Sequence, residues 1–260
     1  SASILKFKKP HWNLPKKWNR LAAATGRRFR IACSVIGDVF TAIKGARSER
    51  EKLWKLIAQT PYLDWFVLTK NITLTHNELP FNMPDNLWIG VSPAVGSVRD
   101  YINYMSEISK LKKTFAIIEP LGRYVDLTNQ LIGGSRIVCP QCGRLHIDEE
   151  GVDPHTQHTC HSCRHLFDSI TPILGTGYDR QKISWLIIGG AIKPHRQIEY
   201  QSAFESYIQL CARRNVPIYV SRAGTNLIKN NSTTATFNHP LGADMSEWPE
   251  LMRVRQFPTT

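Results

Sequence analysis

Two cysteine pairs carry the clearest chemistry in the chain: Cys139-Pro140-Gln141-Cys142 and Cys160-His161-Ser162-Cys163, separated by 17 residues. A C-x-x-C pair sets two thiolates on one side of a tight turn, and two such knuckles complete a tetrahedron. Gly143, directly after the first pair, supplies the positive φ that these turns often need. Four thiolates leave no open coordination position, so Cys139, Cys142, Cys160 and Cys163 are expected to hold a structural zinc ion. Five of the nine histidines, His146, His155, His158, His161 and His165, lie in or beside this segment. They are expected on its surface, meeting phosphate or substrate, because the thiolates already fill the shell. So small a ribbon has little core, and metal binding supplies most of its folding energy. Cys33 and Cys211 sit in apolar patterns and read as buried thiols.

A second set of reactive side chains follows short apolar runs. The runs Phe29–Val35, Trp65–Leu68, Leu87–Val91, Phe115–Ile118, Trp185–Ile188 and Pro217–Val220 are almost continuously apolar, as parallel strands covered on both faces must be. Helix-period segments separate them. Ser48 to Glu51 has the form of a capping box ahead of Leu53, Trp54 and Ile57. Val98, Tyr101, Ile102, Met105 and Ile108 recur at three- and four-residue steps, as do Ala203, Phe204, Tyr207, Ile208 and Cys211. Strand–helix–strand repetition implies right-handed crossovers and a parallel sheet. Neither a G-x-G-x-x-G after an early strand nor a phosphate-binding G-x-x-x-x-G-K-[ST] occurs. That sets a partial barrel ahead of a doubly wound nucleotide-binding sheet.

In such a barrel the loops at the carboxyl ends of the strands converge on the site. Reading those ends gives Ser34 and Asp38, Thr69-Lys70, Ser92, Glu119, Gly189-Gly190 and Ser221-Arg222. Asp38, Lys70 and Glu119 are the candidate catalytic groups; each has a competing role as a partner in an ion pair that closes the mouth. Ser92, Gly189, Gly190 and Arg222 are candidate substrate- or cofactor-binding positions.

The chain divides into a basic N-terminal arm (1–28), a first part of the barrel (29–131), the zinc-ribbon insertion (132–174) and the remaining barrel with its C-terminal tail (175–260). The tail after Ala223 is rich in Asn, Thr and Pro and is expected to wrap the barrel without regular structure. Net charge is +12 over 260 residues, and no Asp or Glu precedes Asp38. Lys8, Lys9, Lys16, Lys17, Arg27 and Arg28 lie in that stretch, interleaved with Trp12 and Trp18. Clustered cations favour a polyanion through counterion release, and aromatics stack on bases, so DNA or RNA is the expected partner. No run of 18 apolar residues exists and the start lacks an apolar signal core, which points to a cytosolic protein with no membrane span.

Seven segments, in order, resemble a phage-associated family of radical-SAM-like proteins of unknown function, related to spore photoproduct lyase-type barrels. They are Ser34-Val35-Ile36-Gly37-Asp38-Val39-Phe40, Phe66-Val67-Leu68-Thr69-Lys70, Asn86-Leu87-Trp88-Ile89-Gly90-Val91-Ser92, Glu119-Pro120-Leu121, Trp185-Leu186-Ile187-Ile188-Gly189-Gly190, Pro217-Ile218-Tyr219 and the closing Trp248-Pro249 with Arg253-Val254-Arg255. The resemblance implies an α/β fold, a partial parallel (β/α) barrel of the radical-SAM type, here with an inserted zinc ribbon. It also implies an iron–sulfur cluster, S-adenosylmethionine as cofactor, and a substrate that is nucleic acid or nucleotide-linked. The family's C-x-x-x-C-x-x-C cluster loop is absent from these 260 residues, Ala191 follows Gly189-Gly190 where many members have Glu, and Ser221-Arg222-Ala223-Gly224 replaces K-Q-W-G. Two expectations follow. In one, the chain is a fragment or divergent member whose cluster thiolates come from an upstream segment or a protein partner. In the other, it is a non-catalytic zinc-ribbon nucleic-acid-binding or assembly protein on a degenerate barrel.

Overall fold

The computed structural model describes residues 12–33, 37–43, 45–71, 75, 77–93, 97–98, 100–102, 111, 113–122, 124–125, 127, 137–138, 145–146, 157–159, 163–164, 166–168, 183–192 and 197–258. Six strands form one sheet: β1 (Phe29–Cys33), β2 (Leu63–Thr69), β3 (Leu87–Val91), β4 (Thr114–Ile118), β9 (Trp185–Ile188) and β11 (Ile218–Val220). Their order in the sheet is their order in the chain, and every pairing is parallel. A doubly wound sheet reverses direction at a switch point. Here there is no reversal, and the sheet curls as a half-barrel. All six expected strands are present. β2 runs two residues further at its start than its apolar run suggested, because Asp64 is buried within it.

The two faces of the sheet are divided by period-two alternation. Trp65, Val67, Ile89, Val91, Ala116, Ile118, Leu186, Ile188, Ile218 and Val220 share one core with Leu53, Trp54 and Ile57 of helix α2 (Ala46–Ala58) and Phe204, Tyr207 and Leu210 of helix α3 (Gln201–Arg213). The intervening residues Phe66, Trp88, Phe115 and Trp185 form a second cluster on the concave face. Phe66 stacks on Trp88 at 5.3 Å between centroids and meets Phe115 and Trp185 edge-on at 5.4 and 5.2 Å. Each such aromatic removes enough apolar surface from water to stabilise the fold by roughly 1.5–3 kcal/mol. Gly90 makes that packing possible, since a Cβ there would overlap the Phe115 ring.

Helix α1 (Leu14–Thr25) lies within the second half of the basic arm. Pro15 stands in its first turn, where a missing N–H costs nothing, and Gly26 ends it in the left-handed region at φ +63°. Helix α2 begins at Ala46, not at the expected capping box. Gly45 is its N-cap, and Ser48 lies inside the first turn with its hydroxyl donating back to the Gly45 carbonyl. Val98 and residues 100–102 are helical as expected, whereas Met105 and Ile108 fall outside the described residues.

Two antiparallel hairpins occupy the expected insertion. β5 (Ile137–Val138) pairs with β6 (Leu145–His146), and β7 (Gln157–Thr159) with β8 (Leu166–Asp168). The tail is more ordered than its composition suggested. β12 (Leu227–Ile228) pairs in parallel with β10 (Glu199–Tyr200), and 3-10 turns cover Met245–Glu247 and Glu250–Met252. Residues 254–256 then run antiparallel to β11: Val220 N–H donates to the Val254 carbonyl and Gln256 N–H to the Ile218 carbonyl, both at 2.9 Å. Phe257 follows, tilted against Trp185 and Tyr219, and the Arg30 guanidinium of β1 lies 4.0 Å from its ring centroid. The last strand's free edge is thus covered, and a contact reaches the first strand. No helix among the described residues is long and apolar enough to cross a membrane.

Asn86, just before β3, donates its buried amide to the carbonyls of Ile57, Thr60 and Leu63 at 2.8–3.1 Å. It ties the end of α2 to the start of β2. Asn86→Ala removes these three bonds, although the Ile57 and Thr60 carbonyls keep the Thr60 and Leu63 N–H donors, and is expected to cost about 1–3 kcal/mol, measured by urea denaturation; a loss under about 0.5 kcal/mol would refute the role.

Candidate functional site

The carboxyl ends of the strands meet at one edge of the half-barrel, and two separate clusters of polar groups form there. The first is built on Asp38, in the segment after β1. Its Oδ1 accepts from Phe40 N–H at 2.8 Å and from the Thr69 hydroxyl at 2.9 Å, and its Oδ2 accepts from Lys70 N–H at 2.8 Å. Asp38 therefore fastens the β1 loop to the end of β2, where Thr69 is 1% exposed. The Lys70 side chain is exposed, and its carbonyl accepts from the Tyr101 hydroxyl. Beneath the loop, buried Arg50 of α2 donates to the Val39 and Thr41 carbonyls, each at 2.9 Å, and pairs with Glu78 at 2.7 Å. Sequence reading missed Arg50. An arginine between Glu49 and Glu51 on a helix reads as a solvent residue, and only the tertiary fold turns it inward.

The second cluster is Glu119, Ser221 and Arg222, brought together from β4 and β11. The Ser221 hydroxyl donates to Glu119 Oε1, and Arg222 reaches Oε2 at 3.1 Å. Both charged side chains remain partly open, at 22% for Glu119 and 29% for Arg222. Gly189 lies directly under this pair, and a Cβ there would overlap Glu119 Oε1 and the Ser221 hydroxyl. At Gly190 a Cβ would overlap the Ala223 carbonyl. The double glycine thus serves close approach of the protein's own chain. Ser92 is half-buried after β3 and joins neither cluster by a hydrogen bond among the described residues.

A third carboxylate stands behind the mouth. Glu199 of β10 is fully buried, and its two oxygens accept from Gly122 N–H at 2.6 Å and Ala191 N–H at 2.8 Å. It links the loops after β4 and β9. Burial pushes its carboxyl above the ordinary range, and the two backbone donors partly oppose that. Position 191 lacks its own carboxylate, but one reaches its backbone from Glu199. No sequence signal marks it, because an acid just ahead of an apolar helix pattern reads as a favourable first-turn charge.

The remaining candidates are dispersed. Lys16, Lys17 and Arg27 are exposed on and just after α1, and Lys8 and Lys9 lie outside the described residues. Arg28 is committed to the buried Asp64 carboxylate through Nε, at 3.1 Å to both oxygens, and a 2.7 Å bond from its terminal nitrogen. Cys139, Cys142 and Cys160 fall outside the described residues, and Cys163 is half-buried. Among the described residues no group of three or more His, Cys, Asp or Glu is placed to hold a metal ion. Cys33 packs against the helix-side core, and burial pushes its thiol up to about 11, so it is no thiolate at neutral pH. Cys211 is buried in α3. The cysteines of the barrel therefore do not fit an iron–sulfur cluster, which needs thiolates grouped in one loop.

Fold and mouth together define a parallel α/β half-barrel with polar groups gathered at the carboxyl ends of its strands. A family model described as a protein of unknown function (DUF5131) matches residues 2–239, and the chain belongs to that family. Among curated proteins and among solved structures, none matches it.

Glu199 has a pH consequence. Its folded-state pKa is raised above the ordinary 4.5, so its contribution to stability is greatest below that value. The contribution declines as pH rises through the folded-state pKa. Glu199→Gln does not titrate. The stability of the native protein relative to this variant should therefore fall as pH is raised above 4.5, followed by urea denaturation across the range. A pH-independent difference would contradict the assignment.

Proposed function

We propose that this half-barrel is a radical-SAM-type scaffold acting on nucleic acid or a nucleotide-linked substrate. One observation carries the reading: six parallel strands lie in chain order, and the segments that resemble radical-SAM-like proteins end at one edge of that sheet. Asp38, Lys70, Ser92, Glu119, Gly189, Gly190 and Arg222 all stand at or beside those ends. In this reading Glu119 and Arg222 orient a ligand over the mouth, Asp38 shapes the neighbouring loop, and the glycines let the chain close behind them. S-adenosylmethionine would bind at the same edge. The cysteines in the barrel do not fit the cluster, so its thiolates have to come from outside these 260 residues. Iron and acid-labile sulfide should be present in about equal amounts in protein made anaerobically from the whole reading frame containing this chain. If neither is retained after anaerobic reconstitution, the enzymatic reading is lost.

A second reading keeps the barrel as a non-catalytic platform for nucleic-acid binding or assembly. It is favoured by the satisfaction of the mouth groups within the protein: both Asp38 oxygens are held by the loops they join, and Glu119 is shared by Ser221 and Arg222. That reading expects salt-sensitive binding to DNA or RNA with no response to S-adenosylmethionine.

Structural zinc on Cys139, Cys142, Cys160 and Cys163 belongs to both readings. Its support is the matching register of the two hairpins. Val138 pairs with Leu145 and Thr159 with Leu166, which leaves residues 139–144 and 160–165 as six-residue connections. In each connection the cysteines are first and fourth. Arg164, directly after Cys163, has φ +63°, and Gly143 holds the corresponding place in the first pair. Purified protein should carry about one zinc per chain, and chelation should unfold the hairpins while the half-barrel persists. Metal-free protein with four freely titrating thiols in this segment would rule the site out.

A further inference from the structure

We propose that the outer face of α1 is a binding track for single-stranded nucleic acid, separate from the barrel mouth. Pro15, Asn19 and Ala22 mark the side of the helix turned to the protein, where the Asn19 side chain accepts from Tyr62 N–H. At 3.6 residues per turn, Lys16, Lys17 and Arg20 then fall on the opposite arc, about 100° wide. All three are exposed, as is Arg27 beyond the C-cap. None of these four has a carboxylate partner among the described residues. Arg28 is excluded, because Asp64 already neutralises it.

Aromatic rings flank the cations on both sides. Trp18 lies between Leu14 and Leu21 on one flank of the helix and is 39% exposed; Tyr62, beside Asn19 on the other flank, is 47% exposed. Successive cations on one arc neutralise a phosphate chain, and exposed rings accept unpaired bases. A duplex offers the phosphates but not the base faces. The combination therefore favours single strands, and it offers an acidic protein no comparable use for Trp18. The track deepens the nucleic-acid part of the function proposed above.

The test uses the full 260-residue chain with fluorescein-labelled dT20, U20 and a 20-base-pair duplex, titrated at several salt concentrations. Lys16→Gln, Lys17→Gln and Arg20→Gln together remove three cations. The slope of log affinity against log salt should become shallower by about 2 on single strands, with binding at least tenfold weaker at moderate salt. Trp18→Ala should weaken single-strand binding about tenfold with the salt slope unchanged, because stacking releases no ions. All four side chains are exposed, so circular dichroism should show the helix intact in both variants. Unaltered affinity and slope in the triple variant would overturn the track. Duplex binding as tight as single-strand binding, with Trp18→Ala silent, would overturn the single-strand assignment. The readout is binding alone, so failure here is distinguishable from failure of the iron and sulfide analysis.

Discussion

Burying both faces of six consecutive parallel strands is the constraint on which the rest of the structure depends. A parallel sheet cannot leave one face in water, because its crossovers lay helices against it. Here α2 and α3 cover one face, and the other must be filled from within. Phe66, Trp88, Phe115 and Trp185 fill it, with Gly90 giving way to the Phe115 ring. The four rings fill the inside of the curled sheet. That curl brings the carboxyl ends of β4, β9 and β11 close enough for Glu119 to reach Ser221 and Arg222.

The same constraint decides which parts of the fold were legible in the sequence. Strands buried on both sides appear as unbroken apolar runs, and all six could be placed from such runs. Local signals were less dependable. Ser48 to Glu51 has capping-box spacing, yet the chain enters α2 three residues earlier through Gly45, whose φ of +86° few other residues tolerate. Asp64 interrupts an apolar strand and is still buried, because Arg28, remote in the sequence, neutralises it. Charge alone places Arg28 among the nucleic-acid cations, and charge does not reveal a partner 36 residues away.

The mouth was legible in outline only. Asp38, Glu119 and Arg222 were found because strand ends are where such residues collect. What the sequence could not supply was their grouping: Asp38 with the Thr69–Lys70 turn, Glu119 with Ser221 and Arg222, and Glu199 behind both Gly122 and Ala191. Gly189 and Gly190 read as a ligand-binding turn, but the groups pressed against them are the protein's own carboxylate, hydroxyl and carbonyl. Arg50 and Glu199 are buried charges of the mouth's supporting layer. Their surroundings in sequence resemble ordinary helix surface and helix start, so burial arises only once distant segments pack.

The Arg30–Phe257 contact joins residues 227 positions apart, 257 less 30. Neighbouring strand–helix–strand units can assemble as soon as they are synthesised, since each pairs with the next in the chain. The clasp at the base of the half-barrel has no such local route, because the entropy of closing the loop must be met before the contact rewards it. Until it shuts, the rings of Trp185 and Tyr219 lack their cover, and β11 presents a bare edge to other chains. Newly made protein is therefore most prone to self-association in the interval between laying down β11 and seating Phe257 on Trp185 and Tyr219.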